Sequence, residues 1–211
     1  MKVKVSLDTL DEIFRFTNKP QFVLYFKRLL TRQTMRVLYK GISIDSQARK
    51  GNLQTIKYLH LIGSECTTNA MNSVSEYGYL EVLRYLHETV GAKCTTDAMD
   101  WASLYGHIEV VKYLHETVGA KCTTYAMDAA SAHGFLEVVK YLHEIVGSDC
   151  TTNAMDWASA HGHLEVVKYL HETIGAKCTK DIMDWASKNG HLEVLRYLHE
   201  TVGSDCTTDA L

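Results

Sequence analysis

TTDAMDWASLYGHIEVVKYLHETVGAKC, residues 95–122, contains two apolar patterns separated by a glycine, and near-copies of it fill most of the chain. The neighbouring copies are 67–94, 123–150, 151–178 and 179–206, each 28 residues long. A divergent copy at 41–66 precedes them, and TTDAL at 207–211 begins another. Self-similarity at a fixed period is the signature of a repeat protein, in which each copy is one structural unit.

Each copy predicts two helices that meet at a glycine. In the copy at 95–122, Met99, Ala102 and Ser103 have the spacing of a buried stripe on the first helix. The second helix covers about 107–118, and its apolar side consists of Ile108, Val111, Leu114 and Val118. A threonine hydroxyl can cap each first helix; the recurring threonines are Thr67, Thr95, Thr123, Thr151 and Thr179. Glycine can end a helix in the left-handed conformation; the glycines are Gly51, Gly78, Gly106, Gly134, Gly162 and Gly190 in the turn and Gly119 after the second helix.

Helices this short are not stable alone, because nucleation is costly and each pair has only one apolar face. Stacking neighbouring pairs buries these faces against each other. The sequence therefore predicts an all-α, elongated solenoid of stacked helix–turn–helix repeats over 41–211, preceded by a helical cap over 1–40.

The repeat resembles the ankyrin repeat. Residues 106–114, GHIEVVKYL, look like the GHLEVVKLL segment of that family, and Gly119-Ala120 looks like the GA that follows it. Two departures stand out: Asp97-Ala98-Met99-Asp100 replaces the usual Thr-Pro-Leu-His, and the period is 28 residues instead of the family's ~33. The missing residues fall where ankyrin repeats project a β-hairpin finger, so we expect truncated fingers. The resemblance implies binding of another protein without catalysis.

Recurring cysteines, histidines and aspartates suggest chemistry, but their spacing favours structural roles. Six cysteines lie one per repeat, from Cys66 to Cys206, and stacked helices ~8–10 Å apart are too far separated for disulfides; we expect them to be small buried side chains. A metal site at His161 and His163 is the one local alternative for the histidines. The resemblance implies that histidines after the turn glycine, such as His107, bridge neighbouring turns. We interpret Asp45, Asp100, Asp128, Asp156 and Asp184 as hydrogen-bonding helix ends, and Trp101, Trp157 and Trp185 as packing and partial cover.

Positions that differ between copies are the candidates for partner contact, because stacking fixes the others. The two residues before the turn glycine vary most, and in ankyrin repeats this end of the first helix lines the concave groove. Aromatic side chains suit binding hot spots. We therefore predict a partner-binding patch, against the alternative of ordinary surface variation; its residues are Tyr77, Leu104, Tyr105, Tyr125, His133, His161, Lys188 and Asn189.

Residues 1–40 do not fit the repeat. Arg28, Arg32, Arg36 and Lys40 are four residues apart and predict a basic stripe along one helix face. The stripe suits an acidic partner, the array itself or nucleic acid. LDEIF at 10–14 faintly resembles an F-box, although it lacks that motif's Leu-Pro opening and Trp. The alternative function is therefore an F-box-type substrate adaptor of a ubiquitin ligase that recruits through 1–40.

Composition limits the classes of function. Residues 1–50 hold 11 Lys and Arg against 4 Asp and Glu, whereas residues 51–211 hold 11 against 21, so the array is acidic and does not favour nucleic acid. The sequence contains no run of about 18 apolar residues, so it predicts no membrane span. Acidic residues near the start replace the apolar stretch of a secretory signal, so we do not expect export. We expect a monomeric, non-catalytic protein without metal or cofactor. Its expected location is intracellular, in the cytoplasm or nucleus of its own cell or of a host.

Overall fold

The computed structural model describes residues 41–203, which form six helix pairs and no β-strand. The first helices of the pairs are α1 (Ile44–Ala48), α3 (Thr68–Glu76), α5 (Thr96–Leu104), α7 (Thr124–Ala132), α9 (Thr152–Ala160) and α11 (Ile182–Lys188). The second helices are α2 (Leu53–Leu61), α4 (Leu80–Tyr85), α6 (Ile108–Tyr113), α8 (Leu136–Tyr141), α10 (Leu164–Tyr169) and α12 (Leu192–Tyr197). The prediction of an all-α stack of repeated helix–turn–helix units is confirmed.

Threonine caps begin four of the first helices, as the sequence predicts. The hydroxyl oxygens of Thr67, Thr95, Thr123 and Thr151 each accept the backbone N–H two residues later, at 3.1–3.2 Å. The prediction is wrong for Thr179, because α11 begins later, after Asp181, and has no side-chain cap. In that copy Lys180 and Ile182 replace the threonine and alanine of the copies before it.

The turn between the two helices of a pair requires glycine for two reasons. Gly106 has a φ of +73°, in the left-handed region that side chains disfavour. A Cβ on this residue would also lie only 2.7 Å from the ring of Phe135 in the next repeat. The glycine therefore lets the neighbouring repeat approach the turn directly.

Every second helix from α4 onward ends in a wider turn that the sequence does not predict. These π-helical turns are Leu86–Val90, Leu114–Val118, Leu142–Val146, Leu170–Ile174 and Leu198–Val202. After Val118, the backbone N–H groups of Gly119 and Ala120 both donate to the carbonyl of Leu114. Gly119 is left-handed, with a φ of +70°, so the predicted glycine stop is confirmed.

The core repeats with the sequence. Met99, Ala102, Val111 and Leu114 are fully buried, as predicted, whereas Ile108 and Val118 are only half-buried. Val110 is buried although the sequence analysis does not select it. The second helix packs against its own first helix and against the next repeat, so two of its sides are covered.

The connections between repeats are short. Within residues 41–203 they contain no strand, which agrees with the expected truncation of the fingers. After Gly119, residues 120–122 lead directly to the capping threonine of α7. None of the described helices combines the length and apolar character that crossing a bilayer requires.

Candidate protein-binding face

Hydrogen bonds hold neighbouring first helices side by side. The carboxylate of Asp100 accepts both the backbone N–H and the hydroxyl of Thr123 in the next repeat, each at 2.8 Å. Asp128 accepts the same two bonds from Thr151, at 2.9 and 2.6 Å. Asp45 and Asp156 likewise bind Thr67 and Thr179. These four aspartates thus bind near helix ends, as interpreted, but the helix is the one in the following repeat. Each first helix is fixed against its neighbour at its amino-terminal end.

Burial shifts the pKa of some of these carboxyl groups. It raises the pKa of Asp100 and of Asp156, although the hydrogen bonds from Thr123 and Thr179 partly oppose the increase. In the second repeat Asn72 replaces the aspartate. Its amide oxygen accepts the Thr95 N–H at 3.2 Å, and its amide nitrogen donates to the Thr95 hydroxyl at 2.8 Å. The connection between repeats therefore also forms without charge.

The first helices from α3 to α11 present a common surface, which we call the first-helix face. Its positions follow at intervals of four residues, so they share one side of each helix. The amino-terminal row consists of Asn69, Asp97, Tyr125, Asn153 and Asp181. The middle row consists of Ser73, Trp101, Ala129, Trp157 and Trp185. The turn row consists of Tyr77, Tyr105, His133, His161 and Asn189.

Large aromatic side chains are exposed on this face. Tyr105 and Trp185 are each 50% exposed, and Tyr77, Tyr125 and Trp157 are 38–44% exposed. Ala129 is 1% exposed, and Ser73 is also buried, so the middle row contains both buried small residues and exposed tryptophans. The face is therefore an aromatic surface with shallow recesses.

The side chains that follow the turn glycines pack against the residues of the turn row. The residue after each turn glycine (Tyr79, His107, Phe135, His163 or His191) lies against the turn glycine of the preceding repeat. The rings of Tyr77 and Tyr79 stack at 6.0 Å, and those of Tyr105 and His107 stack at 6.4 Å. His107 Nε2 is also 3.0 Å from the carbonyl oxygen of Glu76, so this histidine bridges neighbouring turns, as the resemblance implies. These contacts cover one side of the exposed Tyr77 and Tyr105 rings.

The structure places most of the predicted patch on this face. Tyr77, Tyr105, His133, His161 and Asn189 form the turn row, and Tyr125 belongs to the amino-terminal row. Leu104 is half-buried beside the turn row, and Lys188 is exposed with its Nζ 5.8 Å from the ring centre of Trp185. Partner binding by these residues stays a prediction.

Sequence reasoning missed the tryptophans as part of this face. The sequence pattern favours packing and partial cover for Trp157 and Trp185, but more than a third of each residue is exposed. The available signal is their spacing, because Trp157 lies four residues after Asn153 and four before His161. A residue between two exposed positions at this interval shares their side of the helix.

The recurring histidines and tyrosines of the second helices form hydrogen-bonded contacts between repeats. Tyr113 Oη donates to Glu88 Oε1 at 3.0 Å and lies 3.1 Å from His87 Nδ1. Burial and the bond to Glu88 raise the pKa of Tyr113 to about 12. Tyr141, Tyr169 and Tyr197 bind the preceding repeat's glutamate in the same way.

Histidine pairs on the turn side have other contacts. The rings of His161 and His163 stack at 6.2 Å, and His161 Nδ1 lies 2.8 Å from the carbonyl oxygen of Trp157. Burial and the neighbouring histidines lower the pKa of His163. Among residues 41–203 no three His, Cys, Asp or Glu side chains form a group able to hold a metal ion.

The cysteines are less buried than expected. Cys66, Cys94, Cys122 and Cys150 are half-buried thiols at the ends of the connections between repeats. Cys122 lies against an open groove between two such connections, and its Sγ is 3.6 Å from Ser148 Oγ. The prediction of buried cysteines is therefore only partly correct, because these thiols pack against the edge of the core and stay partly accessible. Burial still raises the pKa of the Cys94 and Cys122 thiols.

Three sequence predictions fall outside the described residues. The helical cap over 1–40, the basic stripe of Arg28, Arg32, Arg36 and Lys40, and the segment at 10–14 that resembles an F-box all lie before residue 41. All three stay predictions.

Comparison with known proteins gives one family. The family model for ankyrin repeats, which spans three copies, matches residues 44–126 and again 126–210. The chain has no match among curated proteins. The matched residues cover most of the chain, and within residues 41–203 they coincide with the stacked helix pairs. The chain therefore belongs to the ankyrin-repeat family.

Proposed function

We propose that this chain is a non-catalytic scaffold that binds a partner protein on its first-helix face. Ankyrin repeats are protein–protein interaction modules, and the proteins that contain them are typically not enzymes. The observation that carries the proposal is the exposure of Tyr77, Tyr105 and Trp157 on helices that are fixed side by side. Aromatic anchors held in place lose little conformational freedom on binding, which favours affinity.

The packing of the repeats supports the choice of face. Neighbouring first helices contact each other along more of their length than neighbouring second helices do. A stack whose helices lie closer together on one side curves toward that side. The first-helix face is then the inner side of the curve, where a bound segment touches several repeats at once.

Site-specific cross-linking tests the proposed face. A photoreactive phenylalanine analogue replaces Tyr105 in one variant and Ile145, which is 58% exposed in the turn after α8, in a control. We expect a partner from native cells to cross-link at position 105 and not at 145. Alanine at Tyr77 and Tyr105 should then weaken binding of that partner without changing the melting temperature. Cross-linking only at position 145, or unchanged affinity, contradicts the proposal.

We also propose that the chain acts inside a cell as a monomer. Thiols that are not joined in disulfides, such as those of Cys66 and Cys94, suit a reducing compartment. Imaging of a fluorescent fusion tests the location, and light scattering of the purified chain tests the oligomeric state.

A further inference from the structure

The first helices of four consecutive repeats contain carboxylates but no lysine or arginine. Residues 67–83, 95–111, 123–139 and 151–167, which include α3, α5, α7 and α9, have no basic residue other than histidine. The same helices carry Glu76, Asp97, Asp100, Asp128 and Asp156. The lysines and arginines of these repeats lie on the second helices and in the connections, so none of them lies on the first helices. Asp100, Asp128 and Asp156 are buried, so the accessible carboxylates of these first helices are those of Glu76 and Asp97.

The chain covers other aromatic rings with its own cations. The guanidinium of Arg84 lies 5.1 Å from the ring centre of Tyr113, and Lys57 and Lys140 lie 5.5 and 5.6 Å from the rings of Tyr85 and Tyr169. In the sixth repeat Lys188 lies over Trp185. A cation within ~6 Å of such a ring is attracted by its negative face. Within residues 41–203, the exposed rings of Tyr77, Tyr105 and Trp157 have no such cation.

The distance between repeats determines how far apart cations bound to these exposed rings would lie. Packed helices lie ~8–10 Å apart, so exposed rings in the same row of adjacent repeats are separated by about this distance. A peptide in the extended polyproline II conformation has three residues per turn and rises ~3.1 Å per residue. Every third residue of such a peptide therefore points to the same side, ~9 Å further along, and faces the next repeat when the peptide lies across the stack.

We propose that the partner segment is an extended basic peptide with lysine or arginine at every third position, bound across repeats two to five of the first-helix face. Its cationic side chains lie on the rings of Tyr77 and Tyr105, beside the carboxylates of Glu76 and Asp97. The sixth repeat is excluded because Lys180 and Lys188 offset the charges of Asp181 and Asp184 on its first helix, and Lys188 already lies over the ring of Trp185. This inference rests on the proposed function and names the chemistry of its partner.

Synthetic peptides and the full chain test the proposal by fluorescence anisotropy. The probe has arginine at every third position with glycine, serine and alanine between. One control peptide has the same residues with the arginines consecutive, and another has glutamine in place of arginine. We expect the spaced peptide to bind more tightly than both, and its affinity to fall as salt is added. Equal binding of either control overturns the proposal.

Matched variants locate the peptide. Each of Tyr77→Ala and Tyr105→Ala should lower affinity by ~2–5-fold, whereas Tyr105→Phe keeps the ring and should bind as the parent does. Asp97→Lys should weaken binding more than Glu137→Lys, which makes the same change of charge at an exposed site on α8. Thermal melts of all variants identify any loss that comes from unfolding. Equal effects of the two lysine substitutions in folded proteins overturn the proposal.

Other occupants of the face give different results. If a partner cross-links at position 105 but the spaced peptide does not bind, the proposed function stands and the basic partner is wrong. If the cross-linker at position 105 captures residues 1–40 of the same chain in place of the peptide, the face is occupied from within, and the basic partner is again wrong. If no protein reaches the face at all, the proposed function itself fails.

Discussion

Replacing Asp128 by alanine removes the connection between the first helices of the fourth and fifth repeats. The carboxylate is 3% exposed and accepts bonds of 2.9 and 2.6 Å from the Thr151 backbone and hydroxyl. Hydrogen bonds to a charged group contribute ~1.5–3 kcal/mol each. Thr151 is exposed, so water replaces part of what is lost. We expect the free energy of unfolding to fall by about 2–3 kcal/mol.

Urea denaturation followed by circular dichroism measures this change, and hydrogen exchange locates it. Repeats contact only their neighbours, so weakening one connection makes opening of the stack between the fourth and fifth repeats more frequent. Amide exchange in residues 151–203 should therefore accelerate more than exchange in residues 67–118. The control is Asp149→Ala, which removes an exposed carboxylate from the same repeat.

Asp128→Asn removes the charge but keeps side-chain atoms that can hydrogen-bond to Thr151, so it separates the two contributions to stability. Asn72 already makes the equivalent contact with Thr95 in the second repeat, at 2.8 and 3.2 Å. The asparagine variant should therefore lose less than about 1 kcal/mol, because a neutral bond is worth ~0.5–1.5 kcal/mol. A loss in Asp128→Ala no greater than in Asp149→Ala, or an equal loss in the asparagine variant, contradicts this account.

Three further outcomes are expected. Gly106→Ala should destabilise the chain by more than the ~1–2 kcal/mol that a left-handed alanine costs, because its Cβ would also meet the ring of Phe135 at 2.7 Å. Gly119→Ala has nothing within 4 Å of its Cβ, so it should cost only that backbone strain. Equal urea midpoints of the two variants would contradict this. Burial raises the pKa of Asp100 in the folded state, so the stability that this carboxyl group contributes is full below pH 3.8 and is lost as the pH rises through the raised pKa. Denaturation of the parent and of Asp100→Asn should therefore show the free energy of unfolding shifting in the parent's favour as the pH is lowered. A shift in favour of Asp100→Asn would show the opposite sign. The pKa of Tyr113 is raised to about 12, so the stability that its phenol contributes is full below pH 10 and is lost toward pH 12. In an ultraviolet titration, Tyr113→Phe should remove one phenol that ionises late. A titration curve without that loss contradicts the prediction.

The sequence predicts the elements within a repeat well, because their signals are local. A threonine, a stripe at Met99 and Ala102 and a glycine at 106 lie within one copy, and each acts on its own helix. The structure confirms the helix pairs and the left-handed turn at these residues. The late start of α11 is the exception, and it occurs in the copy whose opening residues differ from the others.

Contacts between repeats are harder to predict from the sequence. Asp100 and Thr123 are 23 residues apart, and their pairing depends on how one unit is offset on the next. The same offset determines that Tyr113 reaches Glu88 and that Phe135 lies on Gly106. The candidate face was found in part, because variable positions mark the turn row. Trp157 and Trp185 were missed, because a recurring residue can be exposed as well as buried.

The contact from aspartate to threonine also bears on how this chain acquired its length. Each internal unit offers an acceptor on one side and a donor on the other, so any unit can follow any other. An unequal crossover that adds or removes 28 residues leaves both new neighbours able to pair. Gene duplication can therefore lengthen the molecule stepwise without first evolving a new junction, and substitutions on the outward positions of the added copy remain free to diverge.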